Sequence, residues 1–353
     1  MNKNTMKAFV GNGWGKGSFV DIPRPVPKEN EVLIKIAYCG VCGTDQDLFS
    51  SQCSFAENGQ VTYPVRLGHE WSGTVAEVGS AVTKFKAGDR VVGDNAVCCG
   101  ECDACRRGDY GKCRNTRNVG TIEPVYDGAF AEYMILPEYH VYHLPDSLSL
   151  KEAALCEPLS VAQGAVKKMD ITKNSTVVII GTGCIGLSAA VLALCKGAEQ
   201  VFLTGRNPVK LAAAEKLGVI PVNVKKCDAV SLIKEKTGGR GADFVIECSG
   251  AEGTIVQAMD MVMRRGMIAL IGFYEKKERE IDIDKIVSNE ITIVGIMGEY
   301  GNIGEVLDVL GEHEPSLLPL ITAELPFEEC EPAFMRQNTP DTVKTVIRIG
   351  GGN

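Results

Sequence analysis

The sequence is poor in imidazole. His69, His140, His143 and His313 are its only histidines, so any histidine chemistry falls to one of these positions. It also lacks a basic excess: 37 Lys and Arg stand against 45 Asp and Glu, a formal net charge of −8. Nucleic-acid binders carry a positive footprint, so that class of partner is excluded. No apolar run of membrane length is uninterrupted. The best stretch, Val177 to Cys195, carries Thr182, Ser188 and three glycines, and reads as a buried strand followed by a buried helix, so no membrane association is expected. Met1 to Thr5 is polar and no apolar leader core follows, which predicts a cytoplasmic chain.

What is present suits a soluble globular protein with an ample core. The 353 residues are 45% apolar and 23% charged, too apolar for a disordered chain, too weakly charged for a coiled coil, and long enough for two domains. Fourteen cysteines in a reducing compartment point to thiols and metal ligands rather than disulfides.

The pattern changes midway. Up to about Pro158 the chain reads as short strands split by Gly and Gly-Asp turns, as in Glu31 to Ala37, Gly73 to Gly79 and Gly88 to Gly93, a small β barrel with long loops. The segment Leu48 to Val61 reads as one such loop. From Leu159, apolar runs (Thr176 to Ile180, Gln200 to Thr204, Ala242 to Glu247, Gly266 to Gly272, Ile291 to Gly295) alternate with helical stretches. Unbroken apolar strands between helices predict a parallel sheet covered on both faces. The expected boundaries are 1–158, 159–295 and a 296–353 segment returning to the first domain.

Cys99, Cys102, Cys105 and Cys113 fall within one polar loop. Four thiolates at this spacing can surround one Zn²⁺ tetrahedrally, a closed site that folds its loop. Cys98 is a spare neighbour. A second cluster combines Cys42 with Gly68-His69-Glu70. A catalytic zinc keeps about three protein ligands and one exchangeable position, and Cys42, His69 and a carboxylate, Glu70 or Glu157, would supply them. His140 and His143 read as surface or pocket-wall residues, His313 as a solvated helix end, and Glu275 to Glu280 as a polar turn.

Gly181-x-Gly183-x-x-Gly186 follows a strand and opens a helix with Cys184 and Ile185 in its first turn. The glycines permit the turn, the approach of a pyrophosphate and helix–strand packing, while the helix N-terminus faces the phosphates. NAD-binding chains carry an acid at the end of the next strand. Here Gly205 takes that place and Arg206 follows, with Lys210 a turn further. A guanidinium binds a 2′-phosphate that an acid would repel, so NADP(H) is favoured over NAD(H). Ser249 and Gly272 complete the candidate cofactor-binding residues.

These motifs, with Asp127-Gly-Ala-Phe-Ala-Glu-Tyr133 and Glu157-Pro-Leu-Ser-Val161, resemble the zinc-dependent medium-chain dehydrogenases, in the branch of polyol (sorbitol-like), threonine and butanediol dehydrogenases. The resemblance spans essentially the whole chain. It implies an α/β fold: a GroES-like β-barrel catalytic domain plus a Rossmann domain with a doubly wound parallel sheet. It further implies a catalytic zinc at Cys42, His69 and Glu70, with Glu157 as ligand or water-mediated neighbour, and a structural zinc at Cys99, Cys102, Cys105 and Cys113. Thr44 matches the hydroxyl that accepts the substrate alcohol's proton. Two positions depart from the family: Asp47 stands where a relay histidine often follows, and Gly298-Glu299 where polyol dehydrogenases carry Arg-Tyr. The expected activity is hydride transfer between a secondary alcohol, a polyol or sugar derivative, and NADP(H). The alternatives are a bulkier alcohol or hydroxyketone, or a zinc-free double-bond reductase. The expected assembly is a homotetramer or homodimer.

Overall fold

The computed structural model describes residues 4–274, 278–298 and 301–350. The chain forms two units, one of Met1–Glu157, Glu299–Glu314 and Ile321–Asn353, the other of Pro158–Gly298 and Pro315–Leu320.

The first unit is built on a seven-stranded sheet. Its order is Val141–His143, Arg90–Gly93, Glu70–Val78, Glu31–Gly40, Lys344–Arg348 and Ile321–Pro326, with Tyr133–Pro137 also pairing with Glu31–Gly40. The central strand Glu31–Gly40 is buried almost throughout, which is why it reads as Val-Leu-Ile-Lys-Ile-Ala rather than as an alternating edge. Trp71, Phe49, Phe130 and Phe334 fill the core beside it, and Phe49 stacks on Phe334 at 4.6 Å between ring centres. The segment Leu48 to Val61, expected as one loop, is helical in part. Gly43–Ser50 is a helix and Ser54–Glu57 a further helical turn. Leu48 and Phe49 are buried, so tertiary burial of two apolar residues holds a helix whose intrinsic propensity is modest.

The second unit carries six parallel strands in the order Ile220–Asn223, Gln200–Gly205, Thr176–Ile180, Ala242–Glu247, Val262–Leu270 and Thr292–Gly295. Numbered by their succession, this is 3-2-1-4-5-6, the doubly wound Rossmann order, whose reversal point lies at the first strand. Every residue of Thr176–Ile180 is buried. The helix Cys184–Cys195 that follows buries all of Gly186 to Ala193, so the most membrane-like stretch of the sequence is an internal strand and helix. Among the described residues no helix is long and apolar enough to cross a membrane.

Candidate active site and metal centres

The helix Gly43–Ser50 begins after Cys42, and Asp45 secures that start. Its fully buried carboxylate accepts from the backbone N–H of Cys42 at 2.9 Å and of Gly68 at 3.2 Å. Two chain segments far apart in sequence are thereby drawn together. Asp45 Oδ1 also lies 3.4 Å from His69 Nδ1, which orients the ring and leaves its other nitrogen for an ion. Gly68 has φ +102°, and a Cβ there would meet Cys39 Sγ and the Phe130 backbone nitrogen at 3.0 Å. This left-handed turn delivers His69 and Glu70 to the start of strand Glu70–Val78. Glu70 pairs with Gly40 across the sheet, and a Cβ on Gly40 would stand 2.2 Å from Glu70 Oε2. Glycine at position 40 is what makes room for the carboxylate.

Ligand atoms of Cys42, His69 and Glu70 all lie within 4.8 Å of one another. Glu157 is not part of that set, though it is buried in the same unit and accepts from Asn95 Nδ2. Burial, with Glu70 and Asp45 nearby, pushes its carboxyl up to about 7 against the opposing pull of His69 and Lys344. For His69, burial alone disfavours the imidazolium, but Asp45 and Cys42 outweigh it and hold the ring well above its ordinary value. A half-buried thiol, a buried imidazole and three buried carboxyl groups, with Lys344 beside them, form a donor set that attracts a cation. Zinc fits it by ligand chemistry. Thr44 is half-buried on the helix that Cys42 opens, and Asp47 is exposed one turn further.

The four-cysteine loop gives a geometric test. Sulfur separations are 3.9 Å for Cys99–Cys105, 3.5 Å for Cys102–Cys105, 3.9 Å for Cys102–Cys113 and 3.6 Å for Cys113–Cys99. Zn–S bonds of about 2.3 Å in a tetrahedron require edges of about 3.8 Å, so the cradle matches zinc. Backbone N–H groups of Cys99 and Cys102 point at Cys113 and Cys99 sulfurs, each at 3.4 Å, and favour thiolates. The Cys105 N–H first, with neighbouring thiols, brings Cys102 down to about 6.

Cys98 turns the other way, and here the expectation for His140 is corrected. His140 is fully buried, not a surface or pocket-wall residue. The Cys98 N–H donates to His140 Nε2 at 3.0 Å, which places the ring proton on Nδ1, 3.3 Å from Asp94 Oδ2; Tyr142 donates to the same oxygen at 2.9 Å. This network braces the strand leading into the cysteine loop. His143 stacks on Phe85 at 4.5 Å, and His313 ends the helix Asn302–His313.

In the second unit Gly181 has φ +118° and a Cβ would meet Ser249 at 3.2 Å, whereas a Cβ on Gly186 would press on the Gly181 carbonyl oxygen at 2.0 Å. Gly183, by contrast, faces open space within 4 Å and precedes the helix that starts at Cys184 and Ile185. A fixed turn, tight helix packing and one open backbone position are what a dinucleotide pyrophosphate needs. Arg206 is exposed just past Gly205 at the strand end. Lys210 is half-buried in the first turn of Pro208–Lys216, whose start Asn207 caps by accepting from Val209 and Lys210 N–H groups.

Three residues escape sequence reasoning. Lys344 is buried and donates to both Glu70 oxygens at 2.6 Å and to the Val41 carbonyl at 3.1 Å. Asp45 holds His69 as above. Glu247, fully buried at the end of Ala242–Glu247, accepts from the N–H and hydroxyl of Ser249, the Gly250 N–H and Tyr274, and so fixes Ser249; Gly272 lies against the same carboxylate and Gly250. For Glu247 and Lys344 the available signal was a charged residue at the end of a strand whose middle is apolar; Asp45, in a polar helix, gave none. Glu275 to Lys277 of the expected polar turn, Glu299 of the Gly298-Glu299 pair, and Met1 to Lys3 lie outside the described residues.

Known proteins agree with this architecture. Residues 28–146 match the alcohol dehydrogenase GroES-like domain, and residues 184–312 match the zinc-binding dehydrogenase family. The chain belongs to the zinc-dependent medium-chain dehydrogenases, in their polyol-like branch. This dehydrogenase is 34% identical to a sorbitol dehydrogenase of Halalkalibacterium halodurans, over 97% of the chain and 99% of that protein. It is 32% identical to the D-arabitol-phosphate dehydrogenase of Enterococcus avium, over 95% and 94% of the two chains. A Sinorhizobium meliloti protein assigned to the zinc-binding dehydrogenases, solved with NADP bound, superimposes with a TM-score of 0.88 at 30% identity, covering 98% of this chain and all of that one. The dehydrogenase is thus a zinc- and nicotinamide-dependent oxidoreductase of alcohols.

Proposed function

We propose that this dehydrogenase interconverts a secondary alcohol, a polyol or sugar derivative, and the corresponding ketone, with NADP(H) preferred over NAD(H). The observation that carries the reading is the convergence of Cys42, His69 and Glu70 to within 4.8 Å beside Thr44. It disfavours a zinc-free double-bond reductase, which has no use for such a donor set. Zinc held by these three residues would supply Lewis-acid polarisation of the substrate oxygen, and a nicotinamide dinucleotide the hydride acceptor. In oxidation, the Thr44 hydroxyl accepts the substrate proton as it hands its own on. Asp47 shares its helix face three residues on and is exposed, so it passes that proton to water. Glu157, held by Asn95, stays a buried acid near the ligand set.

Gly205 and Arg206 support the NADP(H) preference, as does the NADP bound to the Sinorhizobium protein. A polyol or polyol phosphate is favoured by the named relatives; a bulkier alcohol or hydroxyketone is the second reading, because Gly298-Glu299 stands in place of Arg-Tyr. The free thiols support a cytoplasmic setting. A homodimer or homotetramer is supported by the sheet edge at Thr292–Gly295, unpaired on its outer side among the described residues, and by exposed Ile283, Val287 and Met297 nearby in sequence. A panel of polyols, polyol phosphates and hydroxyketones, assayed with both cofactors by absorbance of the reduced nicotinamide, tests the reading. Turnover of none of them would reject it.

A further inference from the structure

The ribose end of the nucleotide site holds a steric relationship that the Gly205-Arg206 pair alone does not reveal. Gly205 closes strand Gln200–Gly205. A Cβ built there would lie 2.3 Å from Thr182 Cγ2, 3.0 Å from its Oγ1 and 3.2 Å from its Cβ. Rotating Thr182 about χ1 relieves this only in the one rotamer that turns its Cβ hydrogen toward Gly205, and even then the Thr182 Cβ, which χ1 does not move, stays 3.2 Å away. The turn that carries Thr182 is tied on both sides: the Gly181 N–H donates to the Thr204 carbonyl at 3.1 Å, and the Gly183 carbonyl accepts from the Leu187 N–H at 3.0 Å in the first turn of the helix. The volume that the first side-chain carbon of a ribose-binding acid would need is therefore filled by a threonine from the glycine-rich turn.

We propose that Thr182 is a specificity-determining residue for the nucleotide. Packed over Gly205, it bars any side chain from the strand end where an acid would hold the 2′-hydroxyl of NAD(H), and so gives that end of the site to Arg206. The inference rests on the reading that the enzyme favours NADP(H) and assigns that preference to a pair of positions in contact, not to the arginine alone. Its consequence is that Gly205→Asp by itself does not create an NAD(H) enzyme, whereas Gly205→Asp combined with Thr182→Gly does.

The test uses the full-length protein with two readouts. Thermal midpoints without nucleotide are measured for wild type, Gly205→Ala, Thr182→Gly and the double variant. Gly205→Ala is expected to lower the midpoint while Thr182 is in place and to lower it far less in the Thr182→Gly background, the non-additivity that residues in contact show. Dissociation constants for NADPH and NADH are then titrated by nicotinamide fluorescence. Gly205→Asp should weaken both at least about tenfold, and Thr182→Gly with Gly205→Asp should restore NADH binding and shift the preference toward NADH by about tenfold or more. Additive midpoints, or tight NADH binding by Gly205→Asp with Thr182 in place, would overturn the proposal. Arg206→Ala separates the two ideas: an unchanged cofactor preference there rejects the phosphate reading even where the 182–205 coupling stands.

Discussion

Lys344 Nζ lies 2.6 Å from each carboxylate oxygen of Glu70, and both residues are almost completely buried. The lysine belongs to the strand Lys344–Arg348 and the glutamate to Glu70–Val78, two strands that flank Glu31–Gly40 on opposite sides. Removing one member of a buried ion pair leaves the other uncompensated, at about 3–5 kcal/mol. Lys344→Met should therefore lower unfolding stability by that order in the metal-free protein, and Lys344→Arg should recover part of it. Denaturant titration of the three proteins checks this; equal midpoints would show that the pair contributes nothing.

Loss of a ligand at the Cys42, His69 and Glu70 centre should separate chemistry from folding. Cys42→Ser or His69→Ala is expected to reduce turnover by about a thousandfold or more, the scale of Lewis-acid stabilisation of several kcal/mol. Circular dichroism should stay native, and elemental analysis should find zinc reduced to the ion held by the four-cysteine loop. Full activity after either change, with that zinc content, would refute the assignment.

Arg206 is exposed and stands beside a glycine where NAD(H) enzymes carry an acid. Arg206→Ala should raise KM for NADP(H) about ten- to hundredfold, the range of one charge-assisted contact, and change KM for NAD(H) little. Steady-state kinetics with both cofactors gives the ratio directly.

Glu157 gives a pH signature. Its carboxyl is raised from an ordinary 4.5 to about 7 in the folded chain, chiefly by burial. The folded state thus binds the proton more tightly than the unfolded state. The resulting stabilisation is complete below about pH 4.5 and is lost as pH rises through 7, with a total on the order of 3 kcal/mol. In zinc-free protein, Glu157→Gln should flatten this part of the stability–pH curve. Parallel curves for wild type and variant would show that Glu157 does not titrate as described.

The fold was legible wherever hydrophobic pattern decides it. Thr176 to Ile180 and Ala242 to Glu247 read as strands with the bounds that the structure gives, because a central strand of a covered parallel sheet carries a run of apolar residues. The four-cysteine loop was legible because its ligands are local. What sequence could not show depends on contacts distant in the chain. Lys344 meets Glu70 across 274 positions, and nothing near either residue announces the other. His140 read as a surface or pocket-wall residue because its spacing suited a strand edge, while its partners Asp94 and Cys98 come from loops more than forty positions away. Leu48 to Ser50 read as the start of a loop, whereas burial of Leu48 and Phe49 and the Asp45 contacts hold them in a helix. Thr182 looked like a neutral spacer, and its meaning lies in the missing side chain of Gly205.

The first unit's sheet places a carboxy-terminal strand, Lys344–Arg348, directly against Glu31–Gly40. During synthesis, the early strands must wait on the ribosome without their neighbour, while the six parallel strands between Thr176 and Gly295 are all available sooner. The nucleotide unit can thus settle first, and the buried carboxylate of Glu70 gains its lysine counter-charge only once the chain 274 residues further on has been made. A nascent chain that has not yet made Lys344 therefore carries the Glu70 carboxylate without its counter-charge.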